Sequence, residues 1–99
     1  MIKWAFLAVS KAAEGQVHQS VIRIPEREIT TVLVNDYRQA GQVAKELYAS
    51  GVTMFELCAG FGHKGVAAVR QAVPEALVGV VRFDNHPALD GKSGDELFL

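Results

Sequence analysis

The segment Gly60-Phe61-Gly62-His63-Lys64-Gly65 is where residue types and spacing come closest to chemistry. It has the form G-x-G-x-x-G, follows an apolar run and opens a stretch of helical spacing. In a nucleotide-binding turn of that form, backbone N–H groups face a pyrophosphate and an acid about 20 residues on takes the ribose hydroxyls. Asp84 stands in that place. A dinucleotide domain needs two such halves, and this chain has room for about one, so the pattern points to a smaller anion bearing phosphate or carboxylate. His63 and Lys64 sit in the first turn without an acid. The helix dipole disfavours cations there by roughly 0.3–1 kcal/mol each, a preference that a bound anion reverses. In this reading Gly60, Gly62 and the amides around His63 hold the anion, Lys64 adds charge, Asp84 or His86 contacts the rest of the ligand, and Arg82 is a further ligand-binding candidate. The plainer reading is a tight strand-to-helix turn whose glycines allow close packing.

Neighbouring residues offer a second chemistry. Cys58 precedes the turn, and a thiol near a helix N-terminus can become a nucleophile. Cys58 and Lys64 have the spacing of the Cys-x5-Arg phosphatase loop, but a lysine cannot replace the arginine's bidentate fork. An inert, buried cysteine is the simpler outcome. Glu56, inside Met54-Phe55-Glu56-Leu57-Cys58, interrupts an apolar run, as Arg82 does inside Val80-Val81-Arg82-Phe83. On neighbouring parallel strands the two would share a face, either as an ion pair or as a charged pair beside a substrate; a desolvated Glu56 must be paired or protonated. His86 could join Asp84 in acid–base work, or simply cap a turn at Pro87. Cys58, Glu56 and His86 are thus the candidate catalytic groups. No tight ligand spacing such as C-x-x-C is present, so no metal site is assigned, and nothing names a cofactor. Gly91-Lys92-Ser93 resembles the end of a phosphate loop, but the first glycine would fall at His86.

The elements that must position these groups follow from periodicity. Lys3 to Val9 is nearly all apolar, the pattern of a strand covered on both faces. Ser10 to Arg23 is mixed, and Val17, Val21 and Ile22 suggest a short helix ended by Pro25. Glu28 to Val34 reads as a second strand. Asp36 caps a helix with Gln39 three residues on; Tyr37, Ala40, Val43, Ala44, Leu47 and Tyr48 form its apolar face, and Gly51 stops it. Thr53 to Cys58 and Leu77 to Phe83 are further strands, flanking a helix marked by Val66, Val69 and Val73. Residues 85–99 form a polar loop that returns Leu97 and Phe98 to pack. The fold class expected is α/β: a small three-layer sandwich with about four mostly parallel strands, in the order β-(α)-β-α-β-α-β, as a single domain over residues 1–99. A ferredoxin-like α+β fold is the alternative if the first two strands pair antiparallel. A half-barrel completed by dimerisation is another.

Composition limits the classes. Of 99 residues, 49% are apolar and 21% charged, which suits a packed core. A net charge of -1, with scattered lysines and arginines, gives no footprint for nucleic acid. A single cysteine rules out an internal disulfide, and no run reaches the roughly 18 apolar residues of a membrane helix. A cytoplasmic location without membrane partners is expected. Small size and open sheet edges suggest a homodimer or higher homo-oligomer.

The runs Glu56–Gly62, Val80–Pro87 and Lys92–Phe98, after the Lys3-Trp4-Ala5-Phe6 start, resemble a family of small bacterial proteins of about this length whose function is unknown. The resemblance covers almost the whole chain. It implies a bacterial or archaeal intracellular protein and assigns no catalytic residue. Three functions are therefore carried forward. The first is binding of a small anionic ligand at residues 60–65. The second is a small lyase, isomerase or hydrolase using Cys58, Glu56 and His86. The third is a structural or interaction protein whose polar residues satisfy one another.

Overall fold

The strand β1 (Ile2–Val9) is apolar on both faces, and it forms the middle of a five-stranded sheet. A computed structural model describes residues 1–99. The sheet order is β2 (His18–Ile24), β3 (Arg27–Val34), β1, β4 (Met54–Leu57), β5 (Leu77–Val80). β3, β1, β4 and β5 are mutually parallel, and β2 pairs antiparallel with β3. The expected α/β class with a mostly parallel sheet is borne out. The two strands foreseen first, within residues 3–9 and 28–34, pair in parallel, so the ferredoxin-like alternative is not the one adopted.

One element differs. Residues 18–24 are a strand, preceded only by a single 3-10 turn at Lys11–Ala13. The deciding feature is the two-residue link Pro25-Glu26. Pro25 presets one corner, and Glu26 takes the left-handed conformation at φ 63°, the type II pattern, which folds β2 back onto β3. Seen from that turn, His18–Ile24 has period two. Ile22 and Ile24 take one face; Val21 and Arg23 take the other, where Arg23 pairs with Glu28 across the strands at 2.9 Å.

Helix α1 (Tyr37–Ala49) begins as foreseen. The Asp36 carboxylate accepts from the Gln39 N–H, and the Gln39 side chain accepts from the Asn35 N–H. Helix α2 (His63–Ala72) lies beside it, with Gly41 facing Ala72. The crossovers β3–α1–β4 and β4–α2–β5 advance across the sheet in the same direction, which puts both helices on one face. Ala5, Leu7, Val9, Val32, Val34 and Phe55 are buried under them. The opposite face carries Trp4, Phe6, Ile29 and Met54, which are only half-buried. The third layer of a sandwich is thus not supplied by α1 or α2.

After β5 the chain forms a small closing unit. β6 (Asn85–His86) pairs antiparallel with β7 (Lys92–Ser93) around a 3-10 turn at Pro87–Leu89, and the one-turn helix α3 (Gly94–Leu97) follows. Phe98 is buried against Tyr37, whereas Leu97 stays exposed.

Candidate functional site

The carboxyl ends of the parallel strands converge on the turn between β4 and α2. Its centre is Tyr37, the first residue of α1. The Tyr37 hydroxyl donates to the Gly60 carbonyl and accepts from the Gly62 N–H, both at 3.0 Å. Its ring stacks on Phe61, with centroids 5.4 Å apart. Burial pushes the Tyr37 hydroxyl up to about 12. The Gly62 N–H works against that rise, while the Asp95 carboxylate and Cys58 add to it. The hydroxyl therefore keeps its proton and holds the turn from both sides.

The closing unit seals the turn from above. Asp95, in α3, accepts from the Lys64 N–H at 3.2 Å and so caps α2 from another element. A Cβ on Gly62 would overlap the Asp95 carboxylate, and one on Gly94 would overlap the Gly60 carbonyl. Gly94 is needed because two backbones approach closely, and Gly62 because the Asp95 carboxylate occupies the space of a side chain. Ser93 extends the chain of bonds: its hydroxyl donates to Asp84 and accepts from the Asp95 N–H. The turn is thus tied to Asp84 through Asp95 and Ser93. Of the amides expected to face an anion or adjoining them, those of Gly60, Gly62 and Lys64 are bonded within the protein.

The other sequence candidates are dispersed. Glu56 is exposed on the helix-free face of the sheet, contrary to the expected desolvated carboxylate; helices cover only one face, and Glu56 points to the other. Arg82 lies beyond β5, which ends at Val80, and it is exposed. The expected Glu56–Arg82 pair is absent, and Arg23–Glu28 is the one ion pair within 4.0 Å. Cys58 is half-buried, with its Sγ accepting from the Gly60 N–H. His86 accepts from the Ala88 N–H through Nδ1 and packs its ring on Phe83. Cys58, Glu56 and His86 share no hydrogen bond, and no three His, Cys, Asp or Glu side chains gather closely enough to hold a metal ion. His63 and Lys64 both have exposed side chains.

Beside the sealed turn is an open cleft of about 310 Å³ past the end of β1. Val9, Leu89, Leu97 and Phe98 give it apolar walls, and Lys11 and Lys92 bring two cations against one carboxylate, Asp90. The Lys11 ammonium lies 5.7 Å from the centre of the Phe98 ring. Ser10 and Ala12 complete the near wall, where the Ser10 hydroxyl accepts from the Ala12 N–H. Sequence reasoning missed Tyr37 as a polar group and missed the two lysines. A signal existed for the closing unit: Ser93-Gly94-Asp95-Glu96 is an S-x-x-E capping box, and both of its bonds are formed.

No helix is long and apolar enough to cross a membrane. Compared with known proteins, residues 2–96 match the model of a family described as a family of unknown function (DUF6506). No curated protein and no solved structure matches the chain.

Proposed function

The chain belongs to that family of unknown function, and we propose that it binds a small organic anion, a carboxylate or phosphate monoester with an apolar body, in the cleft beyond the carboxyl end of β1. The observation that carries this reading is the convergence of Lys11 and Lys92 on a pocket with apolar walls. Its volume of about 310 Å³ lies at the small end of the range for ligand sites. In open parallel sheets, ligands bind outside the carboxyl ends of the strands. Two ammonium groups against one carboxylate leave a net positive charge for an anion, while Leu89 and Phe98 suit an apolar body. The Gly60–Gly65 turn serves this site as scaffold, since its Gly62 and Lys64 amides already have partners.

The test is thermal unfolding with hexanoate and with phenyl phosphate, each against sodium chloride at equal ionic strength. Ligand at ten times its Kd adds about 1.4 kcal/mol, which raises the melting temperature of a domain this size by several degrees. The Lys11→Ala, Lys92→Ala double variant should fold and lose that rise. Absence of a rise with either anion, or a rise that survives in the double variant, overturns the proposal.

A further inference from the structure

We infer that the helix-free face of the sheet is the docking surface for a second copy of this chain, the two sheets packing face to face. The inference is independent of the anion cleft, which lies at the strand ends. The two faces of the sheet are unequally finished. Under the helices the residues are buried, yet the other face carries strongly apolar side chains with nothing over them. Ile2, Ile22, Ile24 and Leu77 have about half or more of their surface in water, at 49, 58, 57 and 69%, and all four point to this face. Between them lie the half-buried Trp4 and Phe6 of the central strand. Scattered exposed apolar residues are ordinary, but a continuous face of this kind marks an interaction surface.

Size and charge select the partner. Strands about 4.8 Å apart and about six residues long present roughly 500 Å² of sheet in projection. Rough side chains raise its accessible area above that, toward the ~800 Å² per partner of a standard stable interface. The charged side chains on the face are the carboxylate of Glu56 and the guanidinium of Arg27, so its formal charge is balanced. A balanced apolar face offers nothing to nucleic acid or to an anionic membrane. A second copy brings the same footprint and the same balance, as a twofold interface requires. Aligned sheets packing about 10 Å apart would interdigitate Trp4, Phe6 and Ile29 with their twofold mates.

Multi-angle light scattering of the full chain, from micromolar to sub-millimolar concentration, reads the outcome. The expected mass is twice that of the 10.7 kDa chain. Ile22→Lys with Leu77→Lys changes only exposed positions, so circular dichroism should stay native while the mass falls to the monomer. Emission from Trp4, the single tryptophan, should move to longer wavelength in that variant. A wild-type monomer throughout the concentration range overturns the inference. So does a dimer that persists in the double variant, which would assign association to another surface. So, too, does a monomer that co-sediments with phosphatidylcholine vesicles, which would assign the face to lipid. The anion-dependent stabilisation is measured on cleft residues and is unaffected by these changes, so the two proposals fail separately.

Discussion

A single hydroxyl organises the strand ends. Tyr37 holds Gly60 and Gly62 together while its ring fills the space between Phe61 and Phe98. Tyr37→Phe removes one donor and one acceptor from buried backbone partners, at a cost of roughly 1–3 kcal/mol in urea unfolding. A pH signature accompanies it. The folded hydroxyl is raised to about 12 from 10.0, so the unfolded chain releases this proton first. Its contribution is full below pH 10 and is lost as pH rises through 12. Stability of the wild type should therefore fall over that window more steeply than that of Tyr37→Phe, and parallel curves would refute the assignment. In sequence, Tyr37 was legible only as part of an apolar helix face. Its hydroxyl partners are backbone groups more than twenty residues away, which no local pattern records. Glu56 misled for the opposite reason: a carboxylate within an apolar strand signals burial only if both faces of the sheet are covered.

Elements with strong local signals were legible. Asp36 and Gln39 announce α1, and the β-branched run of β3 and the apolar run of β1 announce their strands. β2 was not legible, because Val17, Val21 and Ile22 fit a helical stripe as well as an alternating one. The hairpin turn decided between them, and it uses a glutamate where glycine is usual. Left-handed backbone costs a residue with a Cβ roughly 1–2 kcal/mol, and glycine gives back about 0.5–1 kcal/mol of that gain as lost chain entropy. Glu26→Gly should thus raise stability by up to about 1 kcal/mol, measured by thermal unfolding. A loss of stability would mean that the φ of 63° at Glu26 is not what the turn requires. The closing unit was half legible. Phe98 packs as foreseen, but α3 was read as loop because it has a single turn and no periodicity.

The whole molecule depends on two long-range closures, one over the strand ends and one through the sheet. Phe98→Ala should cost about 3–5 kcal/mol, a large part of the 5–15 kcal/mol typical of a domain. It should also speed amide hydrogen exchange at Gly62 and Lys64 together, because Asp95 and Gly94 leave with the same unit. Slower unfolding, or unchanged exchange at those two amides, would show that α3 is held independently of Phe98. The strand order has a further consequence in time. β1 precedes its sheet neighbours along the chain yet becomes the central strand, and Trp4 must await both Ile29 and Met54 before its backbone is paired on either side. The β2–β3 hairpin can close in microseconds, yet β1 cannot be used until distant segments arrive. Such non-local pairing slows folding toward milliseconds or longer and leaves an apolar strand with two open edges meanwhile. This chain is therefore expected to be most prone to aggregate before β4 is made, and refolding yield should drop with concentration even where the native protein is fully stable.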